Sequence, residues 1–154
     1  MEIADLITPQ SVLPTLRGAN KKQLLQELAK RAAPLVGRDE RAIFETLLER
    51  ERLGSTGIGN GTAVPHGRLA GLPRIFGLFA RLERPIDFEA IDDQPVDLVF
   101  LLLTPDGAGA DHLKALARVS RLMRNRVACE KLRGTADADA LYALLTDRTE
   151  SHAA

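Results

Sequence analysis

Residues 96–103, Val-Asp-Leu-Val-Phe-Leu-Leu-Leu, set the tightest limit on what this chain can fold into. They read as a strand whose latter half is apolar without alternation, the pattern of a central strand covered on both faces. Thr104-Pro105-Asp106-Gly107 breaks it. A second extended stretch, 75–83, reads Ile-Phe-Gly-Leu-Phe-Ala-Arg-Leu-Glu. A sheet of this kind needs helices on both sides, and the rest of the chain supplies them.

Asn20 followed by Gln23 has the form of a capping box opening a helix near 21–33, with Leu24, Leu25, Leu28 and Ala32 on one face. Pro34 and Gly37 are expected to close it. Asp39 caps a second helix from about 40 to 53, where Ile43, Leu47 and Leu48 form the buried stripe and Gly54 the stop. One long helix is predicted from about 111 to 132, with Leu113, Leu116, Ala117, Ser120, Leu122 and Met123 facing inward and Gly134 ending it. Asp137 starts a last helix to about Thr146. The expected fold is therefore α/β: a single domain over 1–147 with a mixed β-sheet flanked by helices on both faces, and a polar C-terminal tail over 148–154.

The chemistry concentrates in Gly54-Ser55-Thr56-Gly57-Ile58-Gly59-Asn60-Gly61-Thr62-Ala63-Val64-Pro65-His66-Gly67, which gathers five glycines around one imidazole. Glycines let backbone N–H groups approach a ligand, and concave arrays of amides bind anions. A neutral histidine is a nucleophile tunable near pH 7. Pro65 stiffens the backbone that carries His66. If the stretch is extended, Ile58, Asn60 and Thr62 point together. The combination suggests a phosphoryl-accepting histidine; a solvent-facing histidine on a glycine loop is the other reading of the same residues. No Gly-Lys-Ser/Thr follows, so a P-loop is excluded, and a helix rather than a strand precedes Gly57-x-Gly59, which argues against a dinucleotide fingerprint.

The segment from Arg50-Glu51-Arg52-Leu53 through the glycines to Ala63-Val64-Pro65-His66-Gly67 resembles the active-site segment of the enzyme IIA proteins of the phosphoenolpyruvate phosphotransferase system, fructose/mannitol class (EIIA type 2), nitrogen-regulatory type. Phe88 to Val99 resembles the family's central strand and its lead-in, and Asp111-His112-Leu113 falls where the family carries a second histidine. The likeness runs over roughly residues 3 to 147. It implies a compact α/β sandwich with the active histidine in a shallow depression that another protein's phosphohistidine can reach.

On that resemblance His66 is the phosphoryl acceptor, and the family places the group on Nε2. Arg50 matches the family's arginine and would support phosphoryl charge with a planar, permanently charged guanidinium. Otherwise it is one of several solvating helix arginines. His112 follows the expected N-cap of a helix, where free N–H groups and the dipole favour anions. It would donate to a phosphoryl oxygen or orient His66, the alternative being an exposed first-turn histidine. Gly57, Gly59 and Gly61 would bind the phosphoryl group as a loop, with Ser55 and Thr56 offering hydroxyls or bonding the local turn. His152 belongs to the polar tail. No cysteine or carboxylate at ligand-like spacing completes a metal site with His66 and His112, and neither metal nor cofactor is expected.

The implied partner is a phosphorylated HPr-like carrier, charged through an enzyme I homologue, with regulatory target proteins beyond it. The chain would act as a phosphocarrier rather than a turnover enzyme. Two other readings remain: a sugar-specific IIA subunit passing phosphate to a permease IIB domain, and a phosphohistidine hydrolase, for which no carboxylate base stands beside His66. With 21 basic and 21 acidic residues the formal charge is zero, which removes long-range attraction to nucleic acid. No leader or membrane-spanning apolar run is visible, and the single Cys129 reads as a small buried residue, so the expected compartment is the cytoplasm.

Overall fold

The computed structural model describes residues 1–147. Six strands form one sheet: β1 (Val12–Leu16), β2 (Gly57–Gly59), β3 (Thr62–Ala63), β4 (His66–Arg68), β5 (Phe76–Ile86) and β6 (Val96–Thr104). Five helices cover it: α1 (Lys21–Val36), α2 (Glu40–Arg52), α3 (Ala110–Arg124), α4 (Arg126–Arg133) and α5 (Ala138–Leu145). The sheet order is β1-β5-β6-β3-β2, with β4 also paired to β6. β6 is antiparallel to β5 and parallel to β3 and β4, so the sheet is mixed.

The apolar run behaves as its pattern requires. Val99, Leu101 and Leu103 enter one core with α1 and α2, while Leu98, Phe100 and Leu102 enter the other with α3, α4 and α5. All six are fully buried. From Leu98 to Leu103 neither face of β6 meets water, which is why alternation is absent there.

Helix starts follow the expected caps. Asn20, Asp39 and Asp137 each accept a backbone N–H through the side chain. The first box is offset by one residue: Gln23 Oε1 accepts from the N–H of Ala19 instead of returning to Asn20. Three expectations are corrected. α1 continues through Pro34 to Val36, because the proline lies exposed in the last turn, where the carbonyl it leaves unpaired can reach solvent, and Gly37 (φ 64°) caps the end. The long helix is two. Asn125 leaves helical geometry (φ −77°, ψ 106°), closes α3, and accepts from the N–H of Ala128 to open α4. The inner face of α3 is rotated by about one residue: His112, Ala115, Val119 and Met123 are buried, whereas Leu113 and Ala117 are exposed.

The glycine segment is also not one extended stretch. β2 and β3 form an antiparallel pair turned at Asn60-Gly61, both at positive φ (56° and 79°), so Ile58, Asn60 and Thr62 do not share a single strand. Two central residues with φ > 0 define the two-residue hairpin turn for which Asn-Gly is the strongest sequence signal. Arg133 of α4 pins this turn. It pairs with Asp97 at 2.9 Å and donates to the Asn60 carbonyl at 2.6 Å.

Candidate active site

His66 opens β4, in register with Leu102 of β6. The N–H of Leu102 donates to the Pro65 carbonyl at 3.0 Å, which fixes the backbone just before the imidazole. His66 Nδ1 lies 2.8 Å from the Val64 carbonyl. A carbonyl only accepts, so Nδ1 carries the proton and Nε2 keeps its lone pair. Arg50 Nε points at that lone pair from 3.3 Å, while Arg50 Nη1 donates to the Gly54 carbonyl at 2.9 Å. The guanidinium thus bridges the end of α2 and the imidazole.

α2 comes this close because residue 67 has no side chain. A Cβ on Gly67 would stand 2.5 Å from Thr46 Cγ2 of α2. His112, on the first turn of α3, brings the second imidazole: the ring centroids are 5.9 Å apart and the planes inclined by 56°. His112 is 8% exposed, and its Nδ1 sits 2.7 Å from Thr104 Oγ1 at the end of β6. The exposed first-turn alternative therefore does not describe it.

Both imidazoles are held below their ordinary pKa of 6.5. For His66, burial is the largest cause; the Val64 hydrogen bond opposes it, Arg50 adds to it, and Glu51 opposes it weakly. For His112, burial comes first, then the neighbouring His66 and Arg68. At neutral pH both rings are uncharged, the form in which a histidine nitrogen is nucleophilic.

The structure brings Arg50, His66 and His112 together and gives the glycine segment's hydroxyls other partners. Ser55 Oγ donates to the Phe88 carbonyl at 2.7 Å and accepts from the N–H of Gly57 at 3.1 Å. The hydroxyl and N–H of Thr56 both bond to Glu51, the latter at 3.0 Å. Gly57 packs against Ala90, Gly61 against Arg133 and Asp97, and Gly59 stands near Asp92. His152 lies outside the described residues. Cys129 is buried on α4, and burial pushes its thiol up. Among the described residues, no three His, Cys, Asp or Glu side chains are grouped to hold a metal ion, and no helix is long and apolar enough to cross a membrane.

Three residues at the site escape sequence reasoning: Glu51, Lys21 and Thr104. The Glu51 side chain is 4% exposed and receives Lys21 Nζ at 2.9 Å as well as Thr56. Its signal was a carboxylate in phase with the buried stripe of α2, at Ile43, Leu47 and 51. Thr104 ends the apolar strand as its one hydroxyl.

The model of the family "Phosphoenolpyruvate-dependent sugar phosphotransferase system, EIIA 2" matches residues 5–148. A protein named nitrogen regulatory protein from Bradyrhizobium diazoefficiens is 61% identical over 145 residues, covering 94% of this chain and 95% of the relative. A nitrogen regulatory protein from Pseudomonas aeruginosa is 38% identical over 148 residues, covering 96% of each. Among solved structures, nitrogen regulatory protein IIA-Ntr from Neisseria meningitidis superimposes with a TM-score of 0.88 at 33% identity, covering 94% of this chain and 99% of that one.

Proposed function

This chain belongs to the EIIA 2 family of the phosphoenolpyruvate-dependent sugar phosphotransferase system, and from that premise we propose that it is a regulatory phosphocarrier. It accepts a phosphoryl group on His66 from a phosphorylated HPr-like protein, itself charged through an enzyme I homologue. Its phosphorylation state then governs which proteins it binds. The nitrogen-regulatory assignment draws support from the names borne by the relatives.

The observation that carries the reading is the state of His66: neutral, protonated on Nδ1 against Val64, with the Nε2 lone pair turned to a guanidinium. Nε2 attacks phosphorus in line, the donor's N–P bond breaks, and its electron pair returns to the donor nitrogen. As the new N–P bond forms, Nε2 can no longer accept from Arg50, so the guanidinium transfers its N–H groups to phosphoryl oxygens. Five donors in a planar fork suit that exchange. His112 stands close enough to meet the same oxygens. The hairpin of Gly57, Gly59 and Gly61, with Ser55 and Thr56, serves as the frame that holds β4 and the end of α2 in place. Catalysis is positioning and charge support, with transfer between two phosphohistidines nearly balanced.

The test is reconstitution with phosphoenolpyruvate, the enzyme I homologue, the HPr-like carrier and this chain. Acid-labile, base-stable phosphate should appear on the wild type and not on folded His66→Ala. Phosphate on the alanine variant would refute the assignment.

A further inference from the structure

Thr104 and His112 form a buried pair whose hydrogen-bond direction can be worked out. Thr104 is fully buried at the last position of β6, and its carbonyl is occupied by the N–H of Leu69 at 2.8 Å. Among the described residues its hydroxyl has one hydrogen-bond partner, His112 Nδ1, at 2.7 Å. Two arrangements satisfy the distance. If Nδ1 donated, the hydroxyl would accept and its own proton would be left in the core without an acceptor, a costly omission. If the hydroxyl donates, Nδ1 accepts and nothing buried is orphaned. The second arrangement puts the ring proton on Nε2.

We infer that Thr104 is a positioning residue that holds His112 as the Nε2–H tautomer, so that the pair of imidazoles presents one lone pair, on His66, and one N–H donor, on His112. The two rings are set oppositely by what faces their Nδ1 atoms, a carbonyl at His66 and a hydroxyl at His112. β6 controls both. Leu102 is in register with His66, and Thr104, two residues on along the same strand, holds His112. A donor tautomer matters because phosphoryl oxygens only accept: the Nδ1–H form of His112 would present a lone pair to a lone pair. The consequence for transfer rests on the phosphocarrier reading; the tautomer does not.

Long-range proton–nitrogen NMR of the full chain at pH about 8 reads both tautomers without any partner protein. His66 should appear as Nδ1–H and His112 as Nε2–H. Thr104→Val, which removes the hydroxyl at nearly constant shape, should move His112 toward a mixed tautomer population and slow phosphoryl transfer to His66 about tenfold. Thr104→Ser, which restores a hydroxyl, should return both readouts to near wild type and guards against a merely misfolded valine variant. A wild-type His112 in the Nδ1–H form, or one whose tautomer and transfer rate do not respond to Thr104→Val, would overturn the inference. Wild-type protein with the expected tautomers that takes no phosphate from the HPr-like donor would overturn the carrier reading instead.

Discussion

Glu51→Ala should be the most destabilising single change near the site, although Glu51 touches neither imidazole. Its carboxylate is almost fully enclosed and accepts from the Thr56 N–H at 3.0 Å, the Thr56 hydroxyl and Lys21 Nζ at 2.9 Å. These bonds tie the C-terminal turn of α2 and the first turn of α1 to the start of the glycine segment. Truncation leaves two Thr56 donors and a mostly buried ammonium (16% exposed) without their acceptor. Among the described residues, Lys21 would keep only its contact over the Phe88 ring at 4.7 Å and the outlying Glu89 at 4.0 Å. Breaking a buried pair by removing one partner costs about 3–5 kcal/mol. For a domain of this size that lowers Tm by roughly 10 °C. Lys21→Met should cost less, about 1–3 kcal/mol, because Glu51 retains both Thr56 donors. Urea unfolding monitored by far-UV circular dichroism reads both values, with m unchanged. A Glu51→Ala loss below about 1 kcal/mol, or a Lys21→Met loss larger than that of Glu51→Ala, would refute the account of Glu51 as the anchor.

Both site histidines should titrate with midpoints below 6.5 by NMR, and His66→Ala should raise the His112 midpoint by removing a neighbouring ring; a His66 midpoint at or above 6.5 would contradict the geometry. Because the folded values lie below the unfolded one, the unfolded chain binds more protons as pH falls. The histidine contribution to stability is therefore whole above pH 6.5 and lost as pH drops through the folded midpoints. Gly67→Ala should cost about 1–3 kcal/mol and slow phosphoryl acceptance, since its Cβ would drive Thr46 and α2 away from β4; wild-type stability would show the contact to be soft. Arg50→Lys should leave transfer at least about tenfold slow, because one ammonium cannot serve both Gly54 and the phosphoryl group; a full rescue would reduce Arg50 to a point charge.

What the sequence made legible was periodic or stoichiometric. The unbroken apolar run of β6 announced a two-faced core, and Asn20, Asp39 and Asp137 announced helix starts, because each is a local bargain between a side chain and its own backbone. The hairpin around Asn60-Gly61 is built from strands of three and two residues, too short for any period, and only its turn dipeptide marked it. The break at Asn125 was hidden because Val127 continues an apolar helical pattern, although it is 62% exposed. The one-residue rotation of α3 bears on the site: a face centred on Leu113 would leave His112 off the buried stripe, whereas the true face makes it the first member. Glu51 and Thr104 were missed for a different reason. The meaning of Glu51 lies in its contact with Lys21, 30 residues away, outside any local window. That of Thr104 lies in a histidine only eight residues on, but across the turn from β6 to α3, where no helical or strand period relates the two.

The site's charge balance follows from these placements. His66 and His112 are both neutral, and each is held on Nδ1 by an uncharged group. Glu51 spends its charge on Lys21 and Thr56 beneath the glycine segment. Among the described residues, Arg50 is left as the one permanent charge bonded directly to His66. On the phosphocarrier reading, a phosphoryl group brings about −1.5 to −2 charge to this position, of which Arg50, with Arg68 beside His112, balances a part. The remainder falls on a surface flanked in sequence by the exposed Leu53 and Leu113, in a chain whose formal net charge is zero. Modification would therefore change the electrostatic character of the face around His66 far more than it changes the fold, and partners that dock there would be sorted by that change.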